Sequence, residues 1–217
     1  MIESHMDNTV GSLTRFQESV VIGTLLGDGS IRIVPGRKDA FLEINHSLSQ
    51  REYVDWKYKT LSGVSRSGPK EYKGNGSRIA YRFTTRQLPE MTKLMHLWYK
   101  KRRKIVASEL VLNPITLAVW FMDDGSMCRE SDVYLNTQQF ELRDQWLLVR
   151  KLKRMNLDAR LNKDKEYLRI RFLKSSIPLL KRIVDPYIIP SMRYKLSYDP
   201  VETTRRSPML NRHRMKI

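Results

Sequence analysis

The chain has 217 residues, 41% of them hydrophobic, a length that suits one domain or two closely joined halves of about 100 residues each. Forty lysines and arginines face 23 acidic residues, and the net charge of +17 favours a polyanionic partner, nucleic acid before a membrane surface. No apolar run approaches the roughly 18 residues of a spanning helix, and the single cysteine, Cys128, excludes an internal disulfide framework and a cysteine-based zinc finger. We therefore expect a soluble intracellular protein without a membrane partner, in the cytoplasm or in an organelle such as a mitochondrion or chloroplast.

The first predicted helix follows a polar, aperiodic segment over residues 1–14, which we expect to be flexible. From 16 to 26 the pattern is helical, and it places Ser19, Gly23 and Gly27 on one face. A glycine inside a soluble helix costs about 1 kcal/mol relative to alanine. We therefore expect a second helix backbone to approach this face closely and compensate for that cost.

The elements after the first helix alternate between strands and helices. "SIRIV" and "FLEINHS" predict a hairpin, and "LSQREYVDWKYKTLSGV" predicts an amphipathic helix with Tyr53, Trp56 and Leu61 facing inward. "RIAYRFTTR" predicts a strand with one apolar and one arginine-rich face, and "LPEMTKLMHLWYKK" predicts a helix that begins near Pro89.

The same order recurs in the second part of the chain. The segment "RIAYRFTTRQLPEM" matches "YLRIRFLKSSIPLL" at a constant offset of 89, which places Phe83 opposite Phe172. The repeat indicates an internal duplication that forms two pseudo-symmetric halves, predicted over 15–105 and 106–200, with a basic flexible tail over 201–217.

Two Asp-Gly-Ser segments each follow an apolar helical run, at 28–30 and 124–126. An ordinary turn is one interpretation, because Asp-Gly is a common turn signal. If the two apolar helices pair, however, Asp28 and Asp124 meet at helix C-termini, where the helix dipole and their mutual repulsion both disfavour carboxylates. A divalent cation with oxygen ligands would resolve this conflict; we expect Mg²⁺, the usual choice beside phosphates, with Mn²⁺ as a substitute. The neighbouring Asp123 either contributes its backbone carbonyl to the metal or caps the helix end.

The segments around these acids carry a family resemblance. "VIGTLLGDG" (21–29) and "LAVWFMDDG" (117–125) resemble the two LAGLIDADG motifs of single-chain homing endonucleases, and "LNTQ" (135–138) with "YKL" (194–196) resembles the mitochondrial omega-type intron endonucleases in particular. Thr24 and Leu26 depart from the first motif, but its glycine and terminal acid are intact. The resemblance implies a mixed α/β (α+β) fold of two αββαββα-like halves, with the motif helices at the interface and antiparallel sheets forming a DNA-binding saddle.

The resemblance also implies an activity. A monomer would hydrolyse both strands of a long asymmetric double-stranded DNA target and leave 3′ overhangs. Asp28 and Asp124 would bind the metal, with the backbone carbonyls of Gly27 and Asp123 assisting.

Family members also use a basic residue in each half and a polar residue that orders water. The basic residue of the second half corresponds to Lys195, and that of the first half to Lys104, with Arg103 as the alternative. The polar residue corresponds to Gln138. Its counterpart in the first half is Ser47 or His46.

The outer faces of the predicted strands are candidates for reading bases in the major groove, which admits a β-ribbon. The candidate side chains are Arg32, Glu43, Asn45, Arg78, Arg82 and Arg86 in the first half and Tyr134, Asn136, Arg169 and Arg171 in the second. A solvated sheet face is the alternative interpretation. The basic tail would contact phosphates nonspecifically.

Two further functions remain open from the sequence. A related intron-encoded protein can be a maturase that binds intron RNA and assists splicing. The same scaffold can also form a nucleic-acid-binding protein without catalysis. Intact acids in both motifs favour the enzyme.

Overall fold

The computed structural model describes residues 13–74, 78–129 and 131–197. The tail predicted over 201–217 and most of the N-terminal segment predicted over 1–14 lie outside these residues. Within them, the helices are α1 (Arg15–Leu26), α2 (Arg51–Leu61), α3 (Pro89–Trp98), α4 (Pro114–Asp124), α5 (Leu142–Lys153) and α6 (Ile177–Val184). Short 3₁₀ helices cover Leu48–Gln50, Ser62–Val64, Lys174–Ser176, Asp185–Tyr187 and Pro190–Lys195.

The strands form two four-stranded antiparallel sheets and one short hairpin. They are β1 (Ser30–Ile33), β2 (Ala40–Ser47), β3 (Lys70–Lys73), β4 (Ile79–Thr84), β5 (Tyr99–Lys100), β6 (Arg103–Lys104), β7 (Gly125–Arg129), β8 (Asp132–Leu135), β9 (Ala159–Asp164) and β10 (Tyr167–Phe172). The sheet orders are β1-β2-β4-β3 and β7-β8-β10-β9, so the second sheet repeats the topology of the first. Each half has the predicted αββαββα order. The boundaries 15–105 and 106–200 stay predictions.

Both motif helices begin at a side-chain cap. The Thr14 hydroxyl accepts a hydrogen bond from the Gln17 N–H while the Gln17 side chain accepts one from the Thr14 N–H, which forms a capping box. At the start of α4, the Asn113 side chain accepts from the Thr116 N–H, and Pro114 occupies the first turn, where a missing N–H costs nothing. These caps fix where the two helices start and therefore where their acids end up.

The helices α1 and α4 pack closely enough that glycine is required between them, as the sequence predicted. A Cβ atom on Gly23 would lie 2.7 Å from the Thr116 carbonyl oxygen, and one on Gly27 would lie 2.3 Å from the Asp123 Cβ. The Asn113 amide also donates to the Ser19 hydroxyl across the interface, at 2.8 Å. The close packing compensates for the glycines and holds the two halves together at the ends of these helices.

The inner faces of both sheets and the motif helices share one hydrophobic core. Trp98, Trp120, Tyr53, Phe121 and Phe172 are among its largest fully buried side chains. Of the inward positions predicted for α2, Tyr53 and Leu61 are fully buried, whereas Trp56 is half-buried and stacks on Tyr53. Across the described ranges, the helices are too short or too polar to cross a bilayer.

Candidate active site and nucleic-acid interface

The two predicted acids lie at the adjacent ends of α1 and α4. Asp28 follows the end of α1 with half of its side chain exposed, and Asp124 is the last residue of α4. The Gln139 amide joins the two helix ends, because its Nε2 donates to the Leu26 carbonyl oxygen at 3.0 Å and to Asp124 Oδ2 at 3.3 Å. The fold therefore brings both acids to one centre, as the sequence predicted.

A lysine contacts the acid-bearing turn in each half. Lys104 Nζ donates to the Gly27 carbonyl oxygen at 2.9 Å and to the Gly29 carbonyl oxygen at 2.8 Å. Lys195 Nζ donates to the Asp123 carbonyl oxygen at 2.6 Å. Each lysine thus binds the carbonyl of the residue that precedes the acid of its own half.

The two candidate first-half basic residues occupy different places. Lys104 faces the centre, whereas Arg103 forms an ion pair with Glu141 at the start of α5. The geometry therefore favours Lys104 over Arg103. The carbonyls of Gly27 and Asp123, predicted as metal ligands, accept the lysine hydrogen bonds described above, and their role toward a metal stays a prediction.

The electrostatics of the centre disfavour ionisation of both acids. Burial raises the pKa of Asp124 to about 8, with further contributions from the charges of Asp123 and Asp28. Burial, together with the charge of Asp123, also raises the pKa of Asp28. Burial lowers the pKa of Lys104 to about 8 and lowers that of Lys195 as well. Two carboxylates whose ionisation is disfavoured in this way provide hard oxygen ligands, and they fit a divalent cation such as Mg²⁺ or Mn²⁺.

A third carboxylate, Asp123, is buried beside this pair and is held by a buried lysine. Lys57 Nζ, on α2, lies 2.8 Å from Asp123 Oδ1 and 3.1 Å from Oδ2, and both side chains are fully buried. The Asp28 N–H also donates to Asp123 Oδ2, at 3.2 Å. Burial, the largest single effect, would raise the pKa of Asp123, but the charge of Lys57 and the other interactions of this cluster together outweigh it and lower that pKa. Asp123 therefore joins the two halves through its side chain, which sequence reasoning did not predict.

His46, the first-half candidate for the polar position, belongs to the same buried cluster. Burial and the charge of Lys57 lower the pKa of His46 to about 4, so its imidazole is neutral at physiological pH. Lys57 Nζ lies 3.3 Å from His46 Nε2, which must accept because the ammonium only donates. The imidazole proton is then on Nδ1, which faces Gln50 Oε1 at 3.1 Å and Asp28 Oδ2 at 3.5 Å. The oxygen and nitrogen ligand atoms of Asp28, His46 and Asp123 lie within 4.8 Å of one another.

The polar residue at the centre of the second half differs by one position from the prediction. Gln139, not Gln138, contacts Asp124, and its Oε1 also lies 3.2 Å from Lys104 Nζ. Gln138 and Gln139 are both exposed in the turn that follows β8, but the Gln139 amide is the one that contacts the acid centre. The pattern of apolar residues does not determine which of two successive glutamines makes that contact. Ser47, the other first-half candidate, is half-buried at the end of β2 and accepts a hydrogen bond from Ser49.

The outer face of the first sheet is polar and basic. Register pairs Asn45 with Arg82 and Ser30 with Glu43, so these side chains share the face opposite the core. The guanidinium of Arg32 forms an ion pair with Glu43 at 3.0 Å, and that of Arg82 stacks 3.6 Å from the Tyr72 ring centroid. Arg78 is exposed just before β4. Arg86, just beyond β4, donates to the Gly63 carbonyl oxygen.

This face contains a depression with a volume of about 500 Å³. Arg82 and Arg86 line it together with two arginines that sequence reasoning missed, Arg37 and Arg66. Arg37 lies between the two strands of the predicted hairpin, and Arg66 follows the helix predicted to end at residue 64. The basic surface on this face is therefore wider than the alternation of residues in the strands indicates.

The outer face of the second sheet is also basic but more tightly paired. Arg169 lies 3.9 Å from the Tyr134 ring centroid, and Arg171 pairs in register with Tyr134 and forms an ion pair with Asp132. Tyr134 is buried beneath these guanidinium groups, so it supports the arginines on this face. The Asn136 N–H donates to the Asp124 carbonyl oxygen at 3.0 Å, which places Asn136 beside the acid centre.

Comparison with known proteins gives this arrangement a family. The family model described as "LAGLIDADG DNA endonuclease family" matches residues 18–180, which include both acid-bearing turns. The chain belongs to this family. The match confirms the family resemblance seen in the sequence, including the resemblance to intron-encoded endonucleases.

Individual relatives agree with this LAGLIDADG membership. The chain is 29% identical to "Probable intron-encoded endonuclease 1" of Wickerhamomyces canadensis, with 87% of each chain covered. It is 28% identical to "Cytochrome b mRNA maturase bI2" of Saccharomyces cerevisiae, over 88% of this chain and 49% of that protein. Among solved structures it is similar to the homing endonuclease I-WcaI bound to its DNA recognition sequence, with a TM-score of 0.80 and 27% identity over 87% of this chain and 88% of that one.

Proposed function

We propose that this protein is a site-specific endonuclease that hydrolyses both strands of a long asymmetric DNA duplex with a divalent metal and leaves 3′ overhangs. The observation that carries the proposal is the repetition, at the ends of α1 and α4, of one acid and one lysine in each half. The strands of a duplex are themselves related by a two-fold axis. A duplicated set of reactive groups therefore suits two phosphodiesters, one on each strand. Similarity to a relative named as an endonuclease supports the same reaction class.

The acids and lysines have distinct proposed roles. Asp28 and Asp124 would hold the metal, which when bound activates water and neutralises charge at the phosphate. Lys104 and Lys195, which contact the acid-bearing turns, would stabilise negative charge on the phosphate. The pKa of Lys104, lowered to about 8 by burial, also lets this amine exchange a proton near neutral pH. Gln139 would keep the two acids in register.

The outer faces of the two sheets would contact the duplex on either side of the acids. Arginine is the side chain suited to guanine edges, and Arg82 and Arg169 stack on tyrosine rings that restrict their orientation. Because one chain carries two different halves, we expect an active monomer and an asymmetric target.

The proposal is tested by cleavage of a randomised plasmid library with Mg²⁺. The wild type should give linear product at one long sequence, and Asp28→Asn or Asp124→Asn should each abolish it. Asp158→Asn, an acid outside the centre, is the matched control and should cut normally. Cleavage that survives in either motif variant would overturn the assignment of the acids, and a wild type that binds one site tightly without cutting would indicate a non-catalytic DNA-binding protein.

RNA splicing is a second candidate because the S. cerevisiae relative is named a maturase. A maturase would bind a precursor RNA that carries its intron and accelerate splicing, and it would retain this activity in Asp28→Asn and Asp124→Asn. Splicing measured with these variants separates the two functions, because only the nuclease depends on the acids. Equal binding to unrelated RNA, with no effect on splicing, would exclude the maturase.

A further inference from the structure

The buried side chains around Asp123 include a group that the proposed function leaves without a role. Lys57 is fully buried on α2, and among the described residues its ammonium has hydrogen-bonding contacts with Asp123 and His46. Lysine is almost never fully buried unless it is paired, because removing its charge from water is costly. Its position therefore depends on the carboxylate that it meets.

Asp123 in turn lies where a cation ligand would lie. Its carboxylate, the Asp28 carboxylate and the His46 imidazole provide ligand atoms within 4.8 Å of one another. Without Lys57, this group would present two carboxylates and a neutral imidazole to a divalent cation. With Lys57, both Asp123 oxygens face an ammonium group at hydrogen-bonding distance.

The geometry points to a positioning role for Lys57: its ion pair with Asp123 keeps that carboxylate from binding a cation beside Asp28, and so leaves the cation to Asp28 and Asp124. The inference rests on the proposed metal dependence. The contacts of the three lysines at this centre support it: Lys104 and Lys195 donate to backbone carbonyl oxygens, whereas Lys57 contacts the Asp123 carboxylate itself.

The pair also fixes the first acid mechanically. The Asp123 carboxylate accepts the Asp28 N–H at 3.2 Å, so the oxygens that Lys57 holds also hold the backbone that carries Asp28. The first motif has Gly27 where the second has Asp123, and a Cβ atom there would collide with the Asp123 side chain. The Lys57–Asp123 pair therefore occurs once in the duplicated centre, and it joins the two halves.

The test is a Mn²⁺ titration of the DNA-free protein, with free Mn²⁺ followed by electron paramagnetic resonance. Lys57→Met should bind Mn²⁺ at least about tenfold more tightly than the wild type, because an uncompensated carboxylate joins the ligand group. The double variant Lys57→Met/Asp123→Asn should return to the wild-type affinity, and Lys57→Arg should resemble the wild type because it keeps the charge. An affinity of Lys57→Met that equals that of the wild type would overturn the inference, as would tight binding that persists in the double variant.

Thermal unfolding keeps the test decisive if Lys57→Met does not fold without metal. Mn²⁺ should then restore folding of Lys57→Met at concentrations that leave the wild-type melting temperature unchanged, and Asp123→Asn should restore it without Mn²⁺. Restoration by Asp123→Asn but not by Mn²⁺ would assign Lys57 a merely structural role and overturn the inference. No DNA enters either measurement, so a wild type that fails to cleave DNA would refute the proposed function without deciding this result.

Discussion

Lys104 Nζ lies 2.9 Å from the carbonyl oxygen of Gly27, the residue directly before the first-half acid. Lys195 makes the equivalent contact in the second half, so the pair of lysines follows the duplication as closely as the pair of acids does. Groups that lie in equivalent places beside both acids are expected to act on both strands.

The first prediction concerns this lysine. Lys104→Met should slow cleavage by about 10²-fold or more in single-turnover measurements with enzyme in excess, because it removes a positive charge beside the first-half acid. Arg103→Met is the matched control, since Arg103 pairs with Glu141 at the surface. Equal slowing by the two substitutions would mean that the β5–β6 hairpin, which carries both residues, acts only through DNA binding.

The second prediction separates two neighbouring glutamines. Gln139→Ala should reduce the cleavage rate by about tenfold or more, because Gln139 joins the ends of α1 and α4 and small displacements of reacting groups are costly. Gln138→Ala should leave the rate near that of the wild type, since the contacts with the Leu26 carbonyl oxygen and Asp124 are made by Gln139. Single-turnover rates at saturating Mg²⁺ measure the difference, and a larger effect at Gln138 would restore the position that the sequence indicated.

The third prediction concerns pH and stability in the absence of metal. The pKa of Asp124 is about 8 in the folded protein and about 3.8 when unperturbed, so between these values the folded state binds the extra proton. The contribution of Asp124 to stability is therefore present at low pH and lost as pH rises toward 8. Asp124→Asn should raise the melting temperature relative to the wild type by an amount that grows from pH 5 to pH 8. A pH-independent difference between the two proteins would contradict the raised pKa.

The fourth prediction tests the helix contact. Gly23→Ala should lower the free energy of unfolding by about 1–3 kcal/mol, because its Cβ would lie 2.7 Å from the Thr116 carbonyl oxygen. Gly63→Ala is the control, as a Cβ there meets no atom of the described residues within 4 Å. Urea unfolding gives both values, and the packing argument fails if the two substitutions cost the same.

The fifth prediction concerns the first sheet. If Arg82 reads a base, Arg82→Met should weaken binding to the target DNA by about 1–3 kcal/mol. If Arg82 contacts a phosphate, the substitution should weaken binding by a similar amount on all sequences. Only the phosphate contact should also reduce the slope of log affinity against log salt by about one. Arg154→Met is the control for net charge, because Arg154 is an exposed residue at the end of α5 and does not lie on the outer face of either sheet. Unchanged affinity in Arg82→Met would remove this face from the interface.

The sequence predicted the fold because its two halves carry the same pattern. Glycine spacing in α1 indicated a close helix contact, and the repeated Asp-Gly located both acids at one place. These features are local or periodic, so they are visible without knowledge of long-range contacts. The strand faces were equally accessible, because alternation assigns Arg82 and Arg169 to the side opposite the core.

The remaining features depend on contacts between distant segments. Lys57 lies on an amphipathic helix, where a lysine is ordinarily exposed, and only Asp123, 66 residues later, explains its burial. The choice between Gln138 and Gln139 depends on the path of the turn that carries them, because a shift of one residue in that turn would exchange their positions. The loop residues Arg37 and Arg66 reach the basic depression through folding of the chain rather than through any repeat.

The contact between Gly27 and Asp123 makes the two halves non-interchangeable. A homodimer of the first half would place two glycines at this point and leave a gap, and one of the second half would bring two aspartates together. Chimaeras that exchange halves with a relative must therefore transfer Gly27, Asp123 and Lys57 as one matched set. The contact that joins the duplicated units is thus asymmetric, with a glycine on one side and an aspartate on the other.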